Sequence, residues 1–588
     1  MPDTRDDQQK VDDALKNLTA LEKVRLPFES MVDDVITYVN HGRRKIRDSE
    51  ISKGGKTGSE VYDGTAITAK NLMRDGLCGY TVSQHFRWFE YALPGKFNFP
   101  RWSGMRAWSG KRMDEYPEIK HYLLDREEVG RAAFLRSNFY DLYPDFVDDG
   151  LTIGTVTFDI EEDISAGRIV FNVPHFRECY IAEDRYGMVD TNYRVYKISL
   201  RNLVDRFGLE KMEKADENFK NIYEKNPYDE KEILRVRHPR KDYDRERLDA
   251  RSKPFASLWI YKTTKKLIEE TGTDDLSSIT WRYRINNDER PYGRSPSWDA
   301  LVEILKSNQI AKTNLKAGHR AVEPPMIAPA DLRGKINKGP DGWTFYENFT
   351  EKHMPKPLYT NIQLPYGVEQ QERSDKIIRE YFHVNFFLML SQAAFEKVEM
   401  TATQVLGMQS EQAAILGVRI GRLHSETLNP VHDRVCNIEE RAGRMPEIPA
   451  ILQEYVNILA SRGEGTAIET DYLGPLAQAQ KRIFVLHGIN AGMEFLGRLS
   501  VVAPEAMDEI NIQETVRTGL DAVSWPASCL NTEEQIKKIR EIRQQKREMA
   551  EALQQAEQVG KVVQRTSKEV QPGSALDMMM GKGQEGQA

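Results

Sequence analysis

Apolar residues recur at helical spacing through much of the chain. The stripe over residues 11–47 predicts two helices that are separated near Pro27. Further helices are predicted over 67–90, where the end of the segment is unusually aromatic, and over 118–142. The N-terminal part of the chain is therefore expected to be largely helical.

The pattern changes between residues 151 and 196 to short alternating or β-branched runs, such as TIGTVTFDI and GRIVFNVP, which Gly, Asp and Pro separate. Such runs predict a small β-rich lobe. Helices are expected again at 199–207 and 211–224, and strands at KEILRVRHPR, ASLWIYKTT and ITWRYRINN. Residues 1–290 are thus predicted to form one mixed α+β unit.

The stretch PYGRSPSWDALVEILKSNQIAKTNLKAGHRAVEPP predicts a long helix over 296–322. Ser295 can cap it, Pro296 suits the first helical position, and the double proline ends it. About 27 helical residues would span about 40 Å. One apolar stripe is expected at Trp298, Leu301, Val302 and Leu305.

Residues 326–370 are rich in Pro, Gly and isolated aromatics, which favours short strands and turns. Helix is predicted again over 371–395 and over 402–437, with a weak point at Asn429-Pro430. The middle of the chain is therefore expected to be an elongated element that goes out and returns.

A strongly charged helix is predicted in NTEEQIKKIREIRQQKREMAEALQQAEQ. Its thin apolar stripe cannot sustain a core alone, so this helix should pack on a neighbour or join identical helices of other copies. The tail over 568–588 is expected to be disordered. The stripe comprises Ile536, Ile539, Ile542 and Met549.

Composition indicates a folded protein of several lobes, because the chain has 588 residues and 40% of them are hydrophobic. A net charge of -7 argues against tight duplex binding over the whole surface, so any contact with nucleic acid should be local or weak. Four dispersed cysteines without a CxxC pair predict free thiols in a reducing cytosol. With no apolar run of about 18 residues, neither a signal peptide nor a membrane span is expected.

Candidate catalytic and metal motifs are weak. GGKTG lacks the context of a phosphate loop, since Glu50 stands where that motif needs glycine, and a surface loop is the better interpretation. His424 and His432 are eight residues apart without an HExxH pattern, so solvated or capping histidines are favoured over metal ligands. We therefore expect no catalytic residue, no metal and no cofactor.

Two clusters could contact nucleic acid. The basic half of the long helix could face DNA phosphates or be a solvated surface, and the sequence leaves both open. An aromatic group with interleaved arginines could stack on bases, but a core or a subunit contact is favoured. Its members are Phe86, Trp88, Phe89, Tyr91, Phe97, Phe99, Trp102 and Trp108.

Several motifs occur together in one order. They include RWFEY, SNFYDLYPDFVDDGLTIGTVTF, YIAEDRYGMVDTNYRVYKISLRNLVDRFG, HPRKDYD, PYGRSPSWDALVEILKSNQIAKTNLKAGHRAVEPPMIAP, LGMQSEQAAILGVRIGRLHSETLNP and YLGPLAQAQ. Over residues 43–480 the chain resembles the portal, or head-to-tail connecting, proteins of short-tailed bacteriophages. The resemblance implies a ring of twelve copies at one capsid vertex, through which double-stranded DNA is packaged and ejected.

The resemblance also implies a portal fold that is α+β and mostly helical, and a layout along the chain. It divides the chain into an outer wing (1–290), a first stem helix (291–322), a clip (323–370), a second stem helix (371–394), a tunnel loop (395–402), a wing return helix with the start of a crown (403–490), and crown or C-terminal helices (491–567).

Residue roles and partners follow from the same resemblance. The partners implied are the terminase large subunit, which would dock on the clip, and the capsid, scaffolding and tail adaptor proteins, in the virion and, during assembly, in the host cytoplasm. The alternatives are a nucleotide-hydrolysing DNA motor and a non-viral helical scaffold. The candidate residues are Lys306, Lys312, Lys316, Arg320 and Lys397 for the DNA channel, and Trp343 and Tyr346 for clip docking.

Overall fold

The computed structural model forms two compact units, Met1–Ile483 and Phe484–Ala588. Both helices and sheets are present in the first unit, and helix is the commoner of the two. The α+β class is therefore confirmed. The structure describes residues 6–43, 58–93, 117–244, 247, 249–323, 325–327, 356–357, 364–388, 417, 419–450, 452–453, 468–473, 488–489, 492–498, 515–516, 519, 536, 538–546 and 548–550.

Helix α1 (Asp7–Val39) is continuous through Pro27, so the prediction of two helices is wrong. A proline removes one backbone donor from a helix interior, which is a local cost. Beyond the proline, Val32, Val35 and Ile36 are fully buried, and this packing outweighs the loss of one hydrogen bond.

The helix predicted over 67–90 ends early, because α2 spans Thr65–Thr81 and the aromatic segment forms strand β1 (Phe89–Ala92). β1 pairs antiparallel with a strand from far along the chain, Glu469–Tyr472. Such pairing between distant segments buries the aromatic side chains and overrides the local helical pattern.

Two helices, α3 (Pro117–Arg136) and α4 (Phe139–Thr152), replace the single one predicted over 118–142. The break falls at Asn138, whose side-chain amide donates to the carbonyl of Phe171 at 2.9 Å and accepts from its N–H at 2.8 Å. Asn138 thereby provides hydrogen-bond partners for the backbone N–H and carbonyl of Phe171 on a neighbouring strand.

Two antiparallel sheets follow, which confirms the β-rich lobe. One sheet has the strand order β3-β2-β9, and the other has the order β4-β5-β6-β7-β8. Strand β8 has no predicted counterpart, because KLIEETGT alternates weakly. The bounds are β2 (Thr155–Asp163), β3 (Arg168–Asn172), β4 (Cys179–Glu183), β5 (Val189–Ser199), β6 (Glu230–Pro239), β7 (Phe255–Tyr261), β8 (Lys266–Thr273) and β9 (Ser278–Arg282).

The five-stranded sheet is covered on both faces. The first turns of α1 pack Val11 and Leu18 on the face that carries Val236. The opposite face carries Trp259 and packs against three short helices. These are α5 (Leu200–Phe207), α6 (Leu209–Ala215) and α7 (Phe219–Lys225).

The predicted long helix is observed as α8 (Pro296–Val322), with the bounds expected from its sequence. After it, the two-residue strands β10 (Met326–Ile327) and β11 (Lys356–Pro357) pair antiparallel. The next helix, α9 (Leu364–Tyr381), begins before residue 371, so the predicted start was wrong. After a turn at 382–383 the chain is helical again over 384–388, and residues 389–394 lie outside the described residues. The chain leaves along α8 and returns along α9.

The helix predicted over 402–437 is described from residue 419 onward. A π-helical turn (His424–Leu428) precedes α10 (Asn429–Arg441), and Pro430 lies in the first turn of α10. This position tolerates proline because its N–H would be unpaired there anyway. The predicted weak point is thus a change of helix type, and strand β12 (Glu469–Tyr472) completes the described elements of the first unit.

In the second unit, the charged helix is confirmed over 538–546 and 548–550, where the side chains are exposed. Cys78, Cys179 and Cys436 are free thiols, as expected. Among the described helices, none combines the length and hydrophobicity that a bilayer span requires. The tunnel loop over 395–402, the tail over 568–588 and most of the clip over 323–370 lie outside the described residues.

Candidate nucleic-acid interface

The start of α8 is fixed to the end of α4. The hydroxyl oxygen of Ser295 accepts a hydrogen bond from the Trp298 N–H at 3.1 Å, which confirms the cap, and donates to the Thr152 carbonyl at 2.8 Å. Ser297 donates to the Leu151 carbonyl at 2.7 Å. The direction of α8 is therefore set by a buried polar joint.

Two glycines from the motifs GTVTF and YGRSP meet beside this joint. Gly154 has a φ of +95°, and a Cβ there would lie 2.6 Å from the carbonyl oxygen of Gly293. Gly293 also donates its N–H to the hydroxyl of Thr155 at 2.7 Å. Only glycine permits both the left-handed backbone and this close approach.

The inner face of α8 differs from the predicted stripe. Trp298, Leu301 and Ile304 are buried, whereas Val302 is 75% exposed and Leu305 is 38% exposed. The stripe predicted through Val302 and Leu305 is therefore wrong for the single chain. The core lies on the neighbouring face of the helix, where spacings of three residues keep the side chains together.

Helices α8 and α9 lie side by side and antiparallel. Ser307 donates a hydrogen bond to Asp375 at 3.0 Å, and Asn314 donates to Gln371 at 3.2 Å. Residue numbers therefore increase along α8 while those of the contacting residues on α9 decrease. A Cβ on Gly367 would lie 2.2 Å from the Asn314 side-chain oxygen. The two helices therefore approach closely at that level.

The candidate basic residues occupy the other side of α8. Lys312, Lys316 and Arg320 follow one another at four-residue spacing, and each lies at least about 120° around the helix from Asn314. Lys316 and Arg320 are exposed. Lys306 lies about 40° around the helix from Arg320 and about 80° from Asn314, at the edge of this face.

Carboxylates are scarce on this face. Glu303 pairs with Lys306 at 3.2 Å, but from residue 304 to 322 the helix carries four Lys and Arg residues and no Asp or Glu. The ammonium of Lys312 lies 5.1 Å from the ring centroid of Tyr62, which is a cation–π contact, and no carboxylate in the described part of the chain pairs with it. We name the side chains of Lys306, Lys312, Lys316 and Arg320 the α8 basic face.

Helix α9 has a more balanced charge. Its 18 residues contain Arg373, Lys376 and Arg379 together with four carboxylates. The positive potential of the pair therefore comes from α8. Because α8 holds its cations about one helical turn apart, they would meet phosphates along a duplex rather than at one point.

A buried ionic network supports the joint at the start of α8, and no local sequence pattern predicts it. Arg282 on β9 is 1% exposed and donates to Glu426 at 2.9 Å, to the Gly187 carbonyl at 2.9 Å and to Glu183. One guanidinium thus joins the three-stranded sheet, the turn after β4 and the π-helical turn. Breaking such a buried pair leaves an uncompensated charge, so this network holds the elements in place.

A second network joins the two sheets. Asp159 on β2 accepts from Arg237 at 2.7 Å and from Arg194 at 2.8 Å, and its side chain is 2% exposed. Burial alone would raise the pKa of Asp159, but the two guanidinium groups outweigh it and lower that pKa to about 2. The carboxylate is therefore charged at neutral pH.

The aromatic group is part of the core where the structure describes it. Trp88, Phe89 and Tyr91 are at most 6% exposed, so base stacking by these three is excluded and the core interpretation is confirmed for them. They pack around His432, whose imidazole Nδ1 lies 3.2 Å from the Tyr91 hydroxyl. Phe97, Phe99, Trp102 and Trp108 lie outside the described residues.

The two histidines are not solvated, which corrects the prediction. Burial lowers the pKa of His432 to about 3 and that of His424 to about 4, so both rings are neutral. His424 stacks on Tyr472 with ring centroids 4.0 Å apart. Within the described ranges, no group of three side chains is placed to hold a metal ion.

The sequence pattern and the pairing of α8 with α9 agree with the family comparison. The family model described as bacteriophage head to tail connecting protein matches residues 11–530. The chain belongs to this family. The resemblance seen in the sequence is therefore confirmed, and the matched region contains α8, α9 and both sheets.

Two curated relatives match over nearly the whole chain. The portal protein of Salmonella phage epsilon15 is 24% identical over 547 residues, which cover 92% of each chain. The probable portal protein of Bordetella phage BPP-1 is 22% identical over 526 residues, covering 88% of this chain and 87% of the relative.

The roles of all the candidate site residues stay predictions. Lys397, Trp343 and Tyr346 lie outside the described residues. Ser307 and Asn314, which contact α9, were not among the predicted site residues. Their signal was a pair of small polar residues seven positions apart, which fall on one face of a helix.

Proposed function

We propose that this chain is the portal subunit of a phage capsid, and that copies of it form the ring through which double-stranded DNA is packaged and ejected. The role is structural and non-enzymatic. The single observation that carries the proposal is the antiparallel α8 and α9 pair with its α8 basic face, in a chain whose family match spans residues 11–530.

The α8 basic face supports a conducting role, because scattered cations attract phosphates without gripping them. Binding to a duplex strengthens with each phosphate contact and weakens with salt. In a ring, each copy would contribute the same few cations, and equivalent positions would let the duplex slide. Lys306, Lys312, Lys316 and Arg320 are the proposed channel contacts, with Lys397 on the tunnel loop.

Lateral packing of copies accounts for the apolar residues that α8 and α9 leave exposed. A pair of helices with apolar side chains on its outer faces is stabilised when other copies cover them. Closed symmetry lets one patch serve every copy, and twelve copies is the number that the family resemblance implies. The exposed residues are Val302, Leu305, Leu315 and Val322 on α8, and Tyr366, Val368 and Tyr381 on α9.

The divisions into wing, stem, clip, tunnel loop and crown belong to the same proposal. The stem corresponds to α8 and α9, and the clip to the segment between them, where Trp343 and Tyr346 would dock the terminase large subunit and then tail adaptor proteins. Capsid and scaffolding proteins would contact the wing. The ring would assemble in the host cytoplasm and remain at one vertex of the virion.

Electron microscopy of the purified full-length chain tests the proposal. We expect closed rings with an open axial channel, lined along part of its length by paired helices. ATP turnover should be absent from the same preparation. Monomers, open filaments, or an ATPase activity that copurifies with the rings and is lost with them would contradict the proposal.

A further inference from the structure

The described helix over 538–546 and 548–550 in the second unit presents a row of exposed cations. Arg540, Arg543 and Lys546 follow at three-residue spacing and are exposed. Glu541 lies about 160° around the helix from Arg543, and Glu548 lies equally far from Lys546, whereas Lys538 lies about 60° from Glu541. Arg543 and Lys546 therefore lie opposite the two glutamates, and Arg540 lies between them and the glutamates.

The three cations have no acidic neighbours along the helix. Positions three and four residues away from Arg540, Arg543 and Lys546 are occupied only by Ile, Lys, Arg, Gln, Met and Ala. A solvated charged helix is usually stabilised by Glu and Lys pairs at that spacing. Glu548, by contrast, has a hydrogen-bonding neighbour at this spacing, because the side-chain amide of Gln544 donates to it at 3.0 Å.

The net charge of this segment is positive, whereas that of the whole chain is negative. Residues 536–550 contain six Lys and Arg and two Glu, although the chain has a net charge of -7. Basic side chains thus concentrate on this short helix. Charge complementarity therefore points to an anionic partner.

The spacing of the cations fits a nucleic-acid backbone. Arg540 and Lys546 are six residues apart, which is about 9 Å along the helix axis. Phosphates of one DNA strand are about 3.4 Å apart along the duplex axis, so three cations would meet about three phosphates. Arginine also forms paired hydrogen bonds to phosphate oxygens.

We propose that Arg540, Arg543 and Lys546 form a second DNA-contact surface, separate from the α8 basic face, that binds the phosphate backbone of double-stranded DNA. This proposal rests on the proposed function, since it takes the conducted duplex as the partner. The contact is independent of base sequence. It would meet DNA at a part of the chain that carries no stem helix.

Duplex binding by the full-length chain tests the proposal. The substitution set Arg540→Gln, Arg543→Gln and Lys546→Gln should weaken affinity for a fluorescent 30-base-pair duplex at least about tenfold near 0.1 M salt. The slope of log affinity against log salt should become shallower by about three. Arg540→Lys with Arg543→Lys should retain most of the affinity, because the charge is kept.

A matched control removes the same charge elsewhere. Lys214→Gln, Lys220→Gln and Lys225→Gln change exposed residues on α6 and α7, and should leave duplex affinity and salt slope unchanged. Circular dichroism and ring images of each variant check folding and assembly. Wild-type affinity in the Arg540 set would overturn the proposal.

Further binding measurements distinguish failure of this inference from failure of the proposed function. If the Arg540 set loses binding to poly-L-glutamate but keeps duplex binding, the surface serves an acidic protein and the proposal is wrong. If Lys312→Gln, Lys316→Gln and Lys306→Gln weaken duplex binding and the Arg540 set does not, this inference fails while the proposed function stands. If the wild-type rings bind no duplex, this inference fails, whereas the proposed function fails only if the preparation shows no closed rings with an axial channel.

Discussion

The hydroxyl of Ser307 on α8 lies 3.0 Å from a carboxylate oxygen of Asp375 on α9 and 2.8 Å from one of Asp63. One hydroxyl has one hydrogen to donate, so two ionised carboxylates compete for it. Burial and the charge of Asp63 together raise the pKa of Asp375. The joint between the two helices is therefore stabilised by protonation.

Asp375→Asn should stabilise the first unit at pH 8. An acid whose pKa is raised on folding contributes stability that is complete below its ordinary pKa of 3.8 and is lost as the pH rises through the raised value. The melting temperature of the variant should therefore exceed that of the wild type at pH 8, and the gap should narrow towards pH 4. Glu372→Gln, exposed on the same helix, should show no such pH-dependent gap. An equal gap at both pH values would contradict the prediction.

Gly367→Val should loosen the contact between α8 and α9. A Cβ at this position would lie 2.2 Å from the Asn314 oxygen, so the helices must move apart or Asn314 must give up its bond to Gln371. Overpacking of this kind costs about 1–3 kcal/mol, which denaturant unfolding measures. Gly318→Ala is the matched control, since nothing lies within 4 Å there, and it should stabilise α8 by about 0.5–1 kcal/mol. A neutral Gly367→Val would show that the helices are not in close contact.

Ser295→Ala should destabilise the start of α8 by about 1–3 kcal/mol. The variant loses the cap on the Trp298 N–H and leaves the Thr152 carbonyl without its donor, in a site where Ser295 is fully buried. Thr313→Ala removes an exposed hydroxyl from the same helix and should change the free energy of unfolding by less than about 0.5 kcal/mol. Equal effects of the two substitutions would refute the anchoring role of Ser295.

Asp159→Asn should destabilise the contact between the two sheets by about 3–5 kcal/mol at pH 7, because Arg237 would keep a buried charge without its carboxylate and Arg194 would retain only Glu178. The lowered pKa of Asp159, about 2, means that its contribution in the wild type is present above 3.8 and fades as the pH falls towards 2. Chemical unfolding between pH 2 and 7 measures it. Asp205→Asn, which changes an exposed residue on α5, is the control. A difference between Asp159→Asn and wild type that stays constant down to pH 2 would argue against this account.

Local patterns were enough to predict α8, because its cap, its first proline and its closing prolines are all encoded within the helix itself. The β-rich lobe was equally clear from alternation. The helix through Pro27, the strand at Phe89 and the burial of His432 were not predictable, since each depends on residues far along the chain. For α9 the sequence predicted a helix but did not predict the residue at which it begins.

Predictions for the site divided in the same way. The sequence predicts that Lys306, Lys312, Lys316 and Arg320 share one helix, because their spacing is a local property, and their contact with DNA stays a prediction. Which side of α8 packs against α9, and the role of Ser307, depend on how α9 returns, which no local pattern specifies. Arg282 and Glu426 meet across 144 residues, so only the folded chain reveals their pairing.

Reversing the charge of the α8 basic face should reduce DNA packaging without preventing ring formation. Lys312→Glu, Lys316→Glu and Arg320→Glu place carboxylates where phosphates would pass, and like charges repel over about 8 Å at physiological salt. We expect the yield of DNA-filled particles to fall at least about tenfold, while ring images and melting temperature stay near wild type. Lys312→Arg with Lys316→Arg keeps the charge and should package normally. Because both helices keep their contacts through Ser307 and Asn314, full packaging by the Glu variant would mean that this face does not line the path of the DNA.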